Sequence, residues 1–145
     1  MANGDSHHLQ RFVDAQEGLF ESALAELGSG SKTSHWMWFV FPQLTSLGRS
    51  PTARYYGIAS LDEARAYLAH PLLGPRLRQS VDAVLPWAGR RTPEAIFGPV
   101  DAMKLRSSLT LFDRAARGDV FDRALDGFFG GVRDELSLAL LEPTR

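Results

Sequence analysis

The chain has 145 residues, of which 44% are hydrophobic and 23% charged, and this size and composition predict one globular domain over residues 1–145. Its formal net charge of -1 argues against general electrostatic binding to nucleic acid or to an anionic membrane. The chain lacks cysteine, a signal-peptide layout and any apolar run near the roughly 18 residues of a membrane span, so we expect no membrane partner, no thiolate chemistry and a cytoplasmic location.

The first predicted element is a long amphipathic helix. After residues 1–4, which we expect to be loose, apolar side chains recur at spacings of three and four from Leu9 to Leu27. Gly28 stands at the usual C-terminal position of such a helix. The glycines and serines of residues 28–31 then predict a flexible connection.

The densest aromatic segment of the chain is residues 34–44, with the sequence SHWMWFVFPQL. Because it lacks a polar alternate face, it favours a short buried helix, disturbed by Pro42, over a half-exposed strand. Aromatic side chains bury large areas, so the segment must either fill the core or line a cleft. His35, Gln43 and two indole N–H groups are polar groups that an inert core would not need. They would suit a pocket wall on which a planar ligand stacks.

Helix signals dominate the rest of the chain, after a loop from residue 44 and a short extended piece or turn at residues 55–58. Ser60 and Glu63 have the spacing of a capping box, which predicts a helix start. Prolines at 71, 86 and 99 separate the helices that follow. Asp101 is predicted to cap the most regular helix, over residues 102–117, and Asp119 to cap the next. A terminal apolar helix is predicted over residues 135–141.

These elements together predict a mainly α fold. No convincing pair of strands is present, and no repeat or low-complexity segment interrupts the pattern. We therefore expect a compact single-domain orthogonal array of about six to eight helices.

Lys104, Ser107 and Ser108 are the second group of residues that could carry chemistry. On a helix starting near residue 101 they share a face, because their spacings are three and four. A lysine and two hydroxyls close to a helix N-terminus could bind a phosphate or a carboxylate. Alternatively, the serines permit close helix packing while the lysine extends to solvent. A serine–lysine nucleophile pair is a third possibility. Because helical spacing does not distinguish the three, no catalytic residue is assigned.

The two groups define a hypothetical binding site for an anion-bearing planar ligand. In this hypothesis the indoles stack on the ligand, the side chains of the aromatic segment bond its edge, and the lysine and serines hold its anion. The predicted ligand-binding residues are His35, Trp36, Gln43, Lys104, Ser107 and Ser108. Trp38 is expected to be the more core-like indole. No set of side chains has metal-ligand spacing and no nucleotide-binding motif is present, so we expect neither metal nor cofactor.

Three segments of the chain carry a family resemblance: SHWMWFVFPQLTSLGRSP, YGIASLDEARAYLAHPLLGPRL and KLRSSLTLF. Together they resemble the uncharacterised bacterial family numbered 1810 among domains of unknown function, over most of the chain from Leu9 to Leu141. The resemblance implies a compact, mostly helical domain and no established activity. At position 102 this chain has Ala102, where many members of that family carry a second aspartate.

The order of the three segments is also similar to that of the NADAR family, whose members act as N-glycosidases on ribosylated bases and ADP-ribosylated guanine. This similarity implies a nucleotide or ADP-ribose-like ligand and, at most, an N-glycosidase-like hydrolase. Leu111 stands where that family commonly has a lysine before the phenylalanine of the last motif, here Phe112, so its presumed catalytic lysine does not carry over. The alternative function is a non-catalytic structural or interaction module whose aromatic segment is only core.

Overall fold

The computed structural model describes residues 5–141, and within that range it contains helices and no strands. The expectation for residues 1–4 therefore lies outside the described residues. The α-helices are α1 (Gln10–Gln16), α2 (Phe20–Gly28), α3 (Met37–Val40), α4 (Pro51–Tyr55), α5 (Leu61–Ala69), α6 (Leu73–Val84), α7 (Pro93–Phe97), α8 (Pro99–Ala115), α9 (Val120–Phe129) and α10 (Glu135–Leu141). Short 3-10 helices cover Thr45–Leu47 and Leu85–Trp87. The mainly α prediction is confirmed, although the described residues form more helices than the six to eight expected.

One of the extra helices comes from a break in the first predicted helix. Its apolar stripe is continuous in sequence, yet α1 ends at residue 16 and α2 begins at residue 20. Gly18 between them has φ of 75°, a left-handed backbone conformation that glycine adopts without steric cost. The prediction of one uninterrupted helix was therefore wrong, because periodicity does not register a single residue that turns the chain.

The aromatic segment forms a short buried helix, as predicted. Helix α3 has only four residues, and the backbone angles turn non-helical at Phe41, just before Pro42. Side chains from Trp36 to Phe41 join the central apolar cluster, with Trp38 only partly buried at its edge. The segment is therefore mainly core, and its access to solvent is limited to Trp38 and the residues at its two ends.

Helix α8 is the central helix of the array. It packs against α5, α7, α9 and α10, and its residues Leu105, Leu109 and Phe112 are buried in the main apolar cluster. It begins at Pro99 after Gly98, whose φ is 83°, and not after Asp101 as predicted. Proline is well suited to a first helical turn, because the N–H that it lacks would have no partner there. Asp101 therefore lies inside the first turn, where its carboxylate is free to pair with lysines.

The loop predicted after residue 44 contains a helix that the sequence analysis missed. Ser50 caps α4 by accepting a hydrogen bond from Ala53 N at 3.1 Å, and Pro51 occupies its first turn. The chain then returns to Leu44 through an isolated parallel bridge with Ile58. Gly57 beside this bridge lies so close to Thr45 that a Cβ at residue 57 would overlap with it. This close packing and the bonds Thr45 N to Ile58 O and Ile58 N to Gln43 O hold residues 43–45 against residues 57–58.

A buried arginine joins this region to α1 and α5. The Arg11 guanidinium donates to Tyr55 O, Gly57 O and two carbonyls of the N-terminal turn, and its Nη2 lies 2.8 Å from Glu63 Oε2. Both side chains are almost fully buried. Glu63 also accepts from Ala59 N at 2.9 Å. Because both charged groups have close polar partners, the ion pair can persist in the interior.

Candidate functional site

A cleft of about 360 Å³ lies between the segment 43–53, the first half of α8 and the start of α10. Its volume is near the lower end of the roughly 300–1,000 Å³ that is typical of small-molecule pockets. Apolar and polar side chains both contribute to its wall. The lining residues are Gln43, Leu47, Arg49, Ser50, Ala53, Val100, Met103, Lys104, Ser107, Asp134 and Leu136.

Three of the six residues predicted to bind a ligand, Gln43, Lys104 and Ser107, line this cleft. Lys104 and Ser107 reach it because they are one turn apart on the side of α8 that turns away from the apolar stripe. The Ser107 hydroxyl donates to Met103 O within the helix at 3.2 Å, so its oxygen can still accept a hydrogen bond from a ligand. The cleft therefore joins the end of the aromatic segment to the lysine-bearing face of α8.

The other three predicted residues lie elsewhere. His35 is exposed and does not line the cleft. Ser108 is fully buried, and its hydroxyl has no hydrogen-bond partner among the described residues. Trp36 is 2% exposed, so its ring is not accessible to a ligand in this structure. Trp38 is only partly buried, so the prediction that Trp38 is the more core-like indole was wrong. A site in which all six residues surround one ligand is thus not what the fold assembles.

The polar edge of Trp36, its indole N–H, is hydrogen-bonded to Glu26. The Glu26 carboxylate accepts from the Trp36 indole at 2.9 Å, from Thr33 N at 2.8 Å, and from both N and Oγ of Ser34. Burial raises the pKa of Glu26, but these hydrogen bonds to the ionised form outweigh it and hold the pKa at about 2. The indole N–H that suggested ligand recognition therefore closes the loop 29–36 onto α2.

The only two lysines of the chain both lie close to the Asp101 carboxylate. Lys32 Nζ is 2.9 Å from Asp101 Oδ2, and Lys104 Nζ is 3.9 Å from Asp101 Oδ1. Each ammonium also lies over an indole, Lys32 at 5.0 Å from the Trp36 ring centre and Lys104 at 5.5 Å from that of Trp38. Cation–π contact favours such positions. Lys104 thus reaches the cleft while only loosely paired.

Arg49 is a cleft residue outside the six that were predicted to bind a ligand. It is exposed, and its guanidinium forms no ion pair or hydrogen bond with any residue between 5 and 141. Arg49 and Lys104 share the cleft wall with Asp134, whose Oδ2 already accepts from the N and Oγ of Ser137. The formal charge of the lining side chains is therefore positive by one unit, which suits a small anion.

The apolar part of the wall was also missed. Val100, Met103 and Leu136 are each about two-thirds exposed, at 65%, 65% and 66%. On α8, the spacing of Val100, Met103 and Ser107 places all three on one face, away from the buried stripe of the helix. That spacing was available in the sequence. Exposed apolar residues on such a face are a signal for a binding surface.

Two further observations restrict the kinds of site that the described residues can form. Between residues 5 and 141, no group of three or more histidine, aspartate or glutamate side chains is placed to hold a metal ion. Over the same range, every helix is too short or too polar to cross a bilayer.

The chain is similar to proteins described as hypothetical or of unknown function. Among curated proteins no match was found. Among solved structures, the crystal structure of a conserved hypothetical protein from Mycobacterium tuberculosis, Rv1873, shares 50% sequence identity and a TM-score of 0.93, and the match covers 97% of this chain and 100% of that one. Residues 6–141 match the family described as a protein of unknown function, DUF1810. The chain belongs to this family.

Proposed function

We propose that this protein binds a small anionic ligand with a planar or apolar body, of the mononucleotide or ADP-ribose-like class, in the cleft between residues 43–53, α8 and α10. The observation that carries the proposal is that one cleft contains two incompletely neutralised cations, Arg49 and Lys104, beside an apolar wall. Small-molecule sites typically combine a largely apolar wall with a few polar groups that fix orientation.

In this proposal the anion lies at Arg49 and Lys104, and the ligand body lies against Leu47, Met103 and Leu136. Gln43 can donate and accept at the ligand's edge, as was predicted for a planar ligand. The cleft volume of about 360 Å³ favours a mononucleotide-sized group, so a longer ligand of the ADP-ribose type would extend into solvent. The cytoplasmic location predicted from the sequence is in keeping with such a ligand.

A catalytic form of the proposal is hydrolysis of an N-glycosidic bond, supported by the resemblance to the NADAR family and not by an assigned catalytic group. Asp134 is the carboxylate of the cleft wall, and it is partly occupied by its role in capping α10. We therefore assign ligand binding to the cleft and treat hydrolysis as a separate question. Incubation with nucleotides and ADP-ribose, followed by chromatography for the released base, tests whether the protein hydrolyses an N-glycosidic bond.

The binding proposal is tested by thermal unfolding with nucleoside monophosphates, nucleoside diphosphates, ADP-ribose and ribose 5-phosphate, followed by calorimetric titration of those that stabilise. A true ligand raises the free energy of unfolding by about 2.7 kcal/mol at one hundred times its dissociation constant. Arg49→Ala and Lys104→Ala should each weaken binding, while Arg54→Ala is the matched control, since Arg54 is exposed on α4 but does not line the cleft. If no compound binds, or if all three variants behave alike, the proposal is wrong.

The second candidate function is an interaction module. It is favoured by the buried state of the aromatic segment and by the exposed Val100, Met103 and Leu136 at the cleft rim. Exposed apolar residues that adjoin one another often mark protein–protein contacts. If this reading is correct, sedimentation should show concentration-dependent association that Met103→Asp abolishes, and no small molecule should raise the melting temperature.

A further inference from the structure

The Lys32–Asp101–Lys104 cluster has an asymmetry that bears on what the cleft accepts. Lys32 is 7% exposed and does not line the cleft; besides Asp101, it contacts Ser34 O at 2.6 Å. Lys104 is 26% exposed, lines the cleft and lies 3.9 Å from the other carboxylate oxygen. One lysine is thus a fixed internal counter-charge, and the other is available to a ligand.

Asp101 is in consequence shared between the two lysines. Lys32 holds Asp101 Oδ2 at 2.9 Å, and Asp101 reaches Lys104 only through Oδ1, at 3.9 Å. An anion that enters the cleft competes with Asp101 for Lys104. The negative charge of Asp101 also opposes any further negative charge that the ligand brings toward this end of the cleft.

We propose that Asp101 and Lys32 together set the charge of the anion that the cleft takes, limiting it to a carboxylate or a phosphate monoester and discriminating against diphosphates and triphosphates. The inference rests on the proposed function and narrows it to the mononucleotide class, because ADP-ribose carries a diphosphate. Asp101 is the specificity-determining residue, and Lys32 is a positioning residue that keeps Asp101 from neutralising Lys104.

The arrangement makes opposite predictions for two neighbouring substitutions. Asp101→Asn removes the competing charge, so binding of pyrophosphate should strengthen by about fivefold, the effect of one unit charge at about 4 Å in a water-like dielectric. Lys32→Met keeps an apolar stem against Trp36 but releases Asp101 to pair with Lys104. Anion binding should then weaken by a similar factor, although residue 32 does not reach the cleft.

The double variant Lys32→Met/Asp101→Asn separates an electrostatic role from damage to the fold. It restores the net charge of the cluster and leaves Lys104 without a competing carboxylate, so its affinity should return close to that of the wild type. Simple loss of packing at residue 32 would not be rescued by a change at residue 101. Lys32→Arg, which preserves the charge, should resemble the wild type.

The experiment uses the full chain with its lysines labelled by reductive ¹³C-methylation, which keeps their charge. With only two lysines in the sequence, the Lys104 signal can be assigned by comparison with Lys104→Arg. Inorganic phosphate and pyrophosphate are titrated while this signal is followed, and AMP, ADP and ATP are then compared by calorimetry. The wild type should prefer phosphate to pyrophosphate and AMP to ATP, and Asp101→Asn should reduce or reverse both preferences.

The outcomes of this experiment distinguish the inference from the proposed function. If no nucleotide binds but the phosphate titrations follow the predicted order of variants, the inference stands and the nucleotide assignment fails. If nucleotides bind and Asp101→Asn changes neither affinity nor preference, the inference is overturned and the proposed function remains. Failure of the Lys104 signal to respond to either anion, in both wild type and Asp101→Asn, also overturns the inference.

Discussion

Two cationic regions of this small protein are built in opposite ways. In the interior, Arg11 donates to four backbone carbonyls and pairs with Glu63 at 2.8 Å. At the cleft, Arg49 has no partner among residues 5–141, and Lys104 has one carboxylate at 3.9 Å. The first guanidinium is saturated, whereas the cleft cations retain most of their capacity to bind.

This difference separates a structural charge from a functional one. A buried ion must be paired and hydrogen-bonded, because the cost of removing it from water is otherwise several kcal/mol. An exposed cation gains little stability from a surface partner, so its incomplete pairing costs the fold little. Incompletely paired cations beside an apolar wall are therefore better candidates for ligand binding than the most heavily bonded residue of the chain.

The largest expected effect comes from breaking the saturated region. Arg11→Met should lower the free energy of unfolding by about 3–5 kcal/mol, because Glu63 would be left as an unpaired buried charge. Urea denaturation at neutral pH measures the loss. Arg54→Met, at an exposed arginine, is the control and should change stability by less than about 0.5 kcal/mol. Equal effects at residues 11 and 54 would contradict the distinction between the two regions.

A similarly large loss of stability is expected from apolar substitutions on the buried face of helix α8, the helix that also carries the cleft lysine. Leu109→Ala and Phe112→Ala should each cost roughly 2–5 kcal/mol, through lost burial and the cavity that remains. Phe112 packs between Tyr67 and Phe121, with ring centres 5.3 and 5.8 Å away, so little can collapse into its space. Losses below about 1 kcal/mol in denaturant titration would mean that the buried face of α8 is wrongly assigned.

A smaller and pH-dependent effect is expected at Glu26. Its pKa is about 2 in the folded protein against an ordinary value of 4.5, so its contribution to stability is present above about pH 4.5 and is lost as the pH falls toward 2. Glu26→Gln should therefore lower the melting temperature at pH 7, and the gap from the wild type should narrow at pH 3. Glu21→Gln, at an exposed position of the same helix, should show no such convergence.

The smallest effect on stability is expected at the cleft. Lys104→Ala should change the free energy of unfolding by less than about 1 kcal/mol, since a partly exposed ion pair contributes little, while it weakens binding of the anionic ligand. Thermal unfolding and calorimetric titration of the same sample measure both quantities. A large loss of stability would mean that Lys104 is a structural charge like Arg11, and it would contradict the distinction between the interior and the cleft cations.

The sequence predicted the helical architecture well because its signals are local. The capping box is present as expected, with Ser60 accepting from Glu63 N at 3.1 Å, and Thr92 caps α7 in the same way. The short α3 and the terminal α10 also follow the predicted pattern. The interruption at Gly18 was missed because a glycine inside an apolar stripe is compatible with either a continuous or a broken helix.

The candidate site was predicted only in part, and the reason lies in side-chain direction and distance along the chain. Lys104 and Ser107 could be grouped from helical spacing, but the same spacing also admitted Ser108, which faces the core. Trp36 has an indole ring of the kind that stacks on ligands, yet its N–H donates a hydrogen bond to Glu26, ten residues earlier in the chain. Arg49 and Asp134 lie far apart in sequence, and no local pattern indicates that they line one cleft with Lys104.

The amino-acid sequence by itself determined the helical class and most helix boundaries, because capping, proline placement and apolar periodicity act over a few residues. The family followed from its resemblance in three longer segments of the sequence. Only the tertiary structure decided which polar groups became internal supports and which stayed available to a ligand. That choice depends on which carboxylate or carbonyl from a distant segment reaches each donor. A buried charge must be paired, because removing it from water otherwise costs several kcal/mol. The cations of the cleft remain in contact with water and do not need such a partner.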